Sequence, residues 1–478
     1  MKLFKRTLLV ASLLTLAFLA AAAVRENYRT EWRGWQRRYR AALLERATTP
    51  AARAEAAGFE VRPRQLVVPA LNATTETVDR CVSCHVGIDD PRLAGAQAPL
   101  APHSGTVLRS HPPERFGCTV CHRGQGRAMT LREAKATDVF WDYPLLPARY
   151  TQASCGSCHD PAYLADKGAP VLAAGARLFE TQGCRACHRE GGLGGGLGLA
   201  LDVEGTYTKH HYVMTAVTGD ATSVSWLEQH FRDPQAVIPG STMKTRGLTP
   251  AQVQALTTYM LSLRGRQPAA AAWTAPDRYR AIAARLAATH DGADLYTRLC
   301  RTCHGEGTFG AWDKAFGRFV PAIRNPAYLA RARAPYLRAT IRSGRPTTLM
   351  AGFEGGLPAP AEGALVGWLT AAAPPEPPPA PLAAGDAGRG ATTFAGLCAG
   401  CHGAAGEGLV APQLANPVFQ RLTTDDFIAA TIRHGRPRTA MPAFQAPGAG
   451  LAEGDVADLV AAVRALAPAA AKGTDHGI

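Results

Sequence analysis

The stretch GRGATTFAGLCAGCH, residues 388–402, joins two signals. Its first part spaces apolar residues as a short amphipathic helix does. Its end sets Cys398 and Cys401 three apart, with His402 next. The same pattern recurs at Cys81/Cys84/His85, Cys118/Cys121/His122, Cys155/Cys158/His159, Cys184/Cys187/His188 and Cys300/Cys303/His304, and together the copies use all 12 cysteines. At these cysteine and histidine frequencies, chance supplies roughly 0.01 such pentapeptides. One copy is compatible with a redox thiol pair or part of a zinc site. Six copies, with no cysteine left over, leave those readings little room. C-x-x-C-H is the attachment site of a c-type haem. Thiols about one helical turn apart reach the porphyrin vinyls from one face, and the next residue supplies an imidazole to the iron. The sequence predicts six covalently attached haem c groups.

Working outward, the C-terminal half repeats. ATIRSGRPTTLMAGF (339–353) aligns with ATIRHGRPRTAMPAF (430–444), and Asn325-Pro326 precedes Met350 by the distance at which Asn416-Pro417 precedes Met441. Each copy opens with a short helix into its haem motif, GADLYTRLC or GRGATTFAGLC. Each closes with an apolar helix, EGALVGWLTAA or EGDVADLVAAVRALA. A more diverged copy lies upstream: VLAAGARLFETQGCRACH, then DPQAVIPGSTMK with Met243, then LTPAQVQALTTYMLSL with Thr249 as N-cap and Pro250 in the first turn.

Helix, haem motif, long loop, methionine and closing helix together resemble the class I cytochrome c family over residues 168–266, 288–373 and 384–467. The resemblance implies three small all-α domains whose first and last helices cross beside the haem. It also implies Met243, Met350 and Met441 as distal iron ligands; a core methionine is the ordinary alternative. Met441 keeps the family's following proline, whereas Lys244 and Ala351 follow the other two. Pro321 and Pro412 stand where the family uses a proline carbonyl to orient the proximal imidazole, with a plain loop proline as the alternative for Pro321. PPEPPPAP (374–381), within a linker at 374–383, reads as a stiff spacer. GGLGGGLG (191–198) follows a haem motif rather than a strand, so it reads as a flexible loop and not a phosphate cradle.

Residues 75–167 differ. Their haem motifs recur every 37 residues from Cys81 to Cys118 to Cys155, too closely for each haem to have a private core. The expectation is a loop-rich three-haem segment whose haems pack together. HPPERFGCTVCHRGQGRA (111–128) and ASCGSCHD (153–160) resemble multihaem cytochromes that accompany bacterial quinol-oxidising complexes. For the distal ligands of these haems the candidates are His103 and His111, each to a haem other than its nearest. His210 or His211 could reach back to a neighbouring haem, with Met129 and Met214 in reserve. His230 reads as packing on its helix, and His290, His434 and His476 as surface residues.

The start of the chain, MKLFKRTLLVASLLTLAFLAAAAV, is an export segment (1–24), long enough to span a bilayer. It reads as an uncleaved anchor, with cleavage at the alanines of 20–23 as the alternative. The basic stretch behind it (25–74) reads as an interfacial helical segment with Trp32, Trp35 and Tyr39 as anchors. The formal charge of +14 does not call for nucleic acid. Twelve haem propionates and six ferric porphyrin cores lower it to roughly +8, and reduction to about +2. The fold expected is mainly α. The function expected is electron carriage in the bacterial periplasm at the inner membrane. Electrons would pass from a membrane cytochrome b, quinol-oxidising complex to a terminal oxidase or soluble cytochrome. The chain would then be no enzyme itself, though a possible subunit of a respiratory oxidoreductase complex. The alternative is a multihaem reductase of nitrite, hydroxylamine or peroxide with one open-coordinate haem.

Overall fold

The computed structural model describes residues 2–69, 76–138, 140–245, 247–264, 290–313, 317–445 and 450–466. His476 and the expected domain ends at 266, 288 and 467 lie outside the described residues. The chain is mainly helical, and it forms two compact units. Within the described residues, one unit draws on the segment up to Ala173, Gly205–Gln229 and Thr257–Arg264. The other draws on Ala174–Glu204, His230–Leu256 and the chain from His290 onward. Residues 168–266 therefore contribute to both.

Helix α1 (Lys2–Tyr28) has no buried residue. An 18-residue window of it has a mean hydropathy of 2.4, which with its length suits a membrane anchor or a signal segment. Helix α2 (Glu31–Arg46) behaves differently. Trp32, Gln36, Tyr39 and Leu43 recur along one face of it and are all buried. Tyr39 and Leu43 pack with Ala56 of α3 (Pro50–Ala57) and with Leu93. The sequence reading of Trp32 and Tyr39 as membrane anchors is corrected here: both face protein. An aromatic stripe beside a basic one is equally suited to a lipid headgroup and to a small core, and one of the core residues, Leu93, lies fifty-four positions beyond Tyr39.

After α3 comes a short antiparallel ribbon, β1 (Leu66–Pro69) paired with β2 (Glu76–Asp79), Leu66 opposite Asp79. From Cys81 to Leu164 the backbone is turns, 3₁₀ segments and helices of four or five residues. Long α-helices return with α4 (Pro170–Thr181), α5 (Ser223–Arg232) and α6 (Pro250–Ser262).

The second unit ends in two copies of one helical plan. In the first, α7 (Gly292–Leu299) packs on α9 (Ala359–Thr370), with α8 (Ala334–Ser343) between them in sequence. In the second, α10 (Ala387–Leu397) packs on α12 (Glu453–Ala465), with α11 (Asp425–His434) between them. A glycine eight residues before each haem cysteine makes these crossings close. A β-carbon on Gly292 would lie 2.3 Å from the Ala364 carbonyl oxygen, and one on Gly390 1.9 Å from that of Asp458. The copies share one apolar core, with Leu295, Leu337, Leu365, Phe394, Phe427 and Leu459 among its buried members. A small hairpin, β3 (Ala311–Asp313) and β4 (Arg318–Val320), occurs in the first copy. It accounts for the greater distance there from haem histidine to Pro321.

Candidate functional site

Cys81-Val-Ser-Cys84-His85 begins in a 3₁₀ turn. Buried Gln36 of α2 donates to the Ser83 carbonyl (3.0 Å) and the Arg62 carbonyl (2.8 Å) and accepts from Arg62 N–H (3.0 Å). The Ser83 hydroxyl exchanges hydrogen bonds with the Arg64 backbone at 2.8 and 2.6 Å. The middle of the first motif is thus fastened from two sides. At the second motif, buried Asp79 at the end of β2 accepts from Cys118 N–H (2.6 Å), Thr119 N–H (3.1 Å) and the Thr119 hydroxyl (3.2 Å). One carboxylate oxygen thereby satisfies donors that the short helix Thr119–His122 leaves open. Replacing Asp79 with leucine should strand them and cost about 2–4 kcal/mol. It should appear as a lower urea midpoint with unchanged slope; an unchanged midpoint would refute this role.

The three motifs of this unit touch in sequence order. The Cys81 and Cys118 thiols share a hydrogen bond that lowers the first and raises the second. Burial, then Cys155 and Cys158, pushes the Cys121 thiol up to about 11. Ser154 donates to the Cys121 carbonyl at 2.7 Å. In a haem-loaded chain these sulfurs would be thioethers, so the value of these contacts is spatial: three motifs lie side by side.

His103 and His111 both lie against haem-motif histidines. The His103 ring centroid is 6.3 Å from that of His122, and the His111 centroid is 6.0 Å from that of His159. An iron bound by two imidazoles, at about 2 Å per bond plus about 1.1 Å from nitrogen to ring centre on each side, sets centroids about 6.2 Å apart. The spacing fits a metal between each pair. The Nδ1 atoms are already engaged: His103 Nδ1 is 2.8 Å from the Ser104 carbonyl, and His111 Nδ1 is 3.2 Å from that of Val107. A carbonyl can only accept, so Nδ1 of His103 carries the proton and its Nε2 keeps the lone pair for a metal; His111 Nδ1 also has the Ser110 hydroxyl at 3.0 Å, which serves either tautomer. His210 is instead 3.7 Å from Asp142, and His211 stacks on Tyr207 with Nδ1 accepting from Thr208 N–H at 3.1 Å. His290 and His434 are exposed.

The three later motifs use the same device on their own histidines. His304 Nδ1 is 3.0 Å from the Pro321 carbonyl and His402 Nδ1 is 2.8 Å from that of Pro412. His188 Nδ1 is 2.9 Å from the Leu199 carbonyl. Burial lowers the pKa of all six motif histidines, favouring the neutral imidazole that binds iron. A cleft of about 400 Å³ opens beside the fifth motif, lined by Thr302, Cys303, His304, Phe309, Trp312 and Val320. That volume is of cofactor size.

Met350 and Met441 sit in matching loops. Met350 N–H donates to the Thr348 hydroxyl (3.1 Å) and its carbonyl accepts from Arg345 N–H (2.9 Å). Met441 does the same with Thr439 (3.2 Å) and Arg436 (3.0 Å). Met243 N–H likewise donates to the Ser241 hydroxyl at 3.2 Å. Its sulfur, however, is 3.1 Å from Nε2 of His230, a half-buried imidazole that burial pushes down to about 4. A histidine on an apolar helix face gave no sign of this in sequence.

The last two domains are held by reciprocal contacts between equivalent residues. Asn325 Nδ2 donates to the Pro437 carbonyl, and Asn416 Nδ2 to the Pro346 carbonyl, both at 2.7 Å. Arg345 lies over the Phe419 ring and Arg436 over the Tyr328 ring. Tyr336 and its equivalent Phe427 stack at 5.5 Å. This is the pattern of an isologous dimer inside one chain. The proline linker is pinned too: Arg331 donates to the carbonyls of Pro377 (3.0 Å) and Pro378 (3.4 Å) and pairs with Asp426 at 2.5 Å.

The glycine-rich loop is a docking strip rather than a free loop. Gly194 N–H donates to the Gly356 carbonyl (2.7 Å), Gly196 N–H to that of Gly352 (3.0 Å), and Arg189 to that of Glu354 (2.9 Å). Nearby, the fourth and fifth motifs abut, since a β-carbon on Gly183 would lie 1.7 Å from the Thr302 hydroxyl oxygen.

Residues 172–264 match the family Cytochrome c, and residues 287–369 and 385–461 match the family Cytochrome C oxidase, cbb3-type, subunit III. These are cytochrome c domains. They mark the protein as a haem-binding, electron-transfer chain of the c type. Over 86 residues it is 40% identical to dihydro-heme d1 dehydrogenase from Pseudomonas aeruginosa, a match covering 18% of this chain and 16% of that one. No solved structure matches.

Proposed function

We propose that this protein is a hexahaem electron carrier of the bacterial periplasm, held at the inner membrane by an uncleaved α1. Haem c, when bound, supplies the one-electron iron couple. The cysteines of the six motifs hold it, and His85, His122, His159, His188, His304 and His402 are the proximal ligands. His103 pairs with His122 and His111 with His159 as bis-imidazole sites. Met243, Met350 and Met441 serve the cytochrome domains.

The observation that carries this reading is the shared anchoring of ligand histidines. Each of His103, His188, His304 and His402 gives Nδ1 to a backbone carbonyl, which fixes the tautomer and aims Nε2 at a metal. Thioether ligation raises an iron's potential relative to bis-imidazole ligation. Electrons therefore enter at residues 75–167 and leave from the methionine-bearing domains. A membrane cytochrome b of a quinol-oxidising complex is the donor, and a terminal oxidase or soluble cytochrome the acceptor. The oxidase named in the second family description supports an acceptor of that kind. The 86 residues shared with the dehydrogenase are about the length of one cytochrome domain, which supports a shared carrier part rather than a shared activity.

A redox titration followed by low-temperature electron paramagnetic resonance tests this. Five low-spin haems are expected for the proposed ligand pairs, two in a lower and three in a higher group. His111→Ala should turn one member of the lower group high-spin, and His103→Ala another. A high-spin haem in the unaltered protein that responds to nitrite or peroxide would instead make it a reductase.

A further inference from the structure

The fourth haem site differs from the fifth and sixth in what its helix offers the methionine. Helices α8 and α11 carry buried Leu337 and Ile341, and Ile428 and Ile432, ahead of Met350 and Met441. Helix α5 carries His230, and the 3.1 Å from its Nε2 to Met243 Sδ is a hydrogen-bond distance for a sulfur acceptor. A thioether has no hydrogen to give, so the imidazole donates Nε2–H. A donor on the sulfur of an iron-bound thioether withdraws electron density from it, disfavouring the ferric state more than the ferrous. The atom that donates is also the atom through which histidine binds iron.

We propose that His230 is a positioning residue of haem 4, donating to the Met243 sulfur and raising that haem's potential, and that it takes the iron when the thioether is withdrawn. The exchange balances without net proton uptake. The iron–sulfur bond breaks, an iron–Nε2 bond forms, and the imidazole proton moves from Nε2 to Nδ1. Iron keeps its oxidation state.

The inference rests on the reading of Cys184, Cys187 and His188 as a haem site, so each protein is first assayed for bound haem as its pyridine complex. Fewer than six per unaltered chain is a failure of that reading, distinct from a failure of the ligand assignment. With the full haem-loaded protein, His230→Leu should keep haem 4 low-spin, shift its far-red thioether-to-iron absorption band and lower its midpoint potential. Met243→Ala should leave haem 4 low-spin, lose that band and show a bis-imidazole resonance at a lower midpoint still. The double variant should show one high-spin haem. A high-spin haem in Met243→Ala alone would overturn the substitute-ligand role. An unshifted band and midpoint in His230→Leu would overturn the donor role. A high-spin haem in His230→Leu with an unaltered spectrum in Met243→Ala would make His230 the resident ligand and overturn both.

Discussion

Gly356→Val should destabilise the second unit by about 2–4 kcal/mol and slow the passage of electrons from the fourth haem domain to the fifth. A β-carbon at this position would lie 1.9 Å from the Gly194 carbonyl oxygen and 3.1 Å from its carbon. Both are backbone atoms, so no side chain can swing aside to make room. The loops must part, and the Gly194–Gly356 and Gly196–Gly352 hydrogen bonds go with them. The loss falls on the segment that bears Met350, the distal ligand proposed for the fifth haem, since Gly352 follows Met350 by two residues. Gly196→Ala is the control, because its nearest neighbour would be a carbonyl oxygen at an ordinary 3.6 Å. It should change stability by no more than about 0.5 kcal/mol. Chemical denaturation and stopped-flow reduction of the whole protein read the two effects. Equal stabilities and equal reduction rates in both variants would show that the strip does not join these domains.

Much of this architecture could be read from residues alone, and the remainder has identifiable physical reasons. The helices flanking the last two motifs follow from a repeat whose members constrain one another, and the carbonyls of Pro321 and Pro412 from the resemblance to the class I cytochrome c family. Leu199, which does the same for His188, carries no signal, because every residue has a carbonyl and only the path of the chain decides which one arrives. That His103 and His111 stand among closely spaced haem motifs was legible. Which motif each faces depends on a loop-rich backbone without periodicity, so the partners His122 and His159 were not. The glycines at 191–198 read as freedom, yet at Gly194 and Gly195 a β-carbon is excluded by packed main chain, and composition cannot separate these two causes. The linker at 374–381 looked only stiff. Its fastening by Arg331 requires knowing that Asp426 and two proline carbonyls converge on one guanidinium.

Met441→His should lower the potential of the sixth haem by on the order of 0.1 V, a fraction of the roughly 0.8 V over which axial ligands tune haem iron. Thioether sulfur favours ferrous iron relative to a second imidazole. The exchange therefore stabilises the ferric state and removes the step that would draw electrons to the end of the chain. The loop is suited to the substitution, because its shape does not depend on the side chain at 441. Residue 441 enters its closing bonds through backbone atoms alone, its carbonyl accepting from Arg436 N–H at 3.0 Å and its N–H donating to the Thr439 hydroxyl at 3.2 Å. The reciprocal bond from Asn416 to Pro346 lies on the partner domain's loop and should be untouched. The effect should therefore be confined to one haem. In a spectroelectrochemical titration, one component should leave the high-potential group and join the low one while the other five hold their midpoints. Electron delivery to an oxidised soluble cytochrome should then slow at an unchanged rate of initial reduction. If every midpoint stays in place, Met441 is a core residue and not an iron ligand. If several move together, the two domains titrate as one coupled body, and their reciprocal interface transmits the charge of each iron to the other.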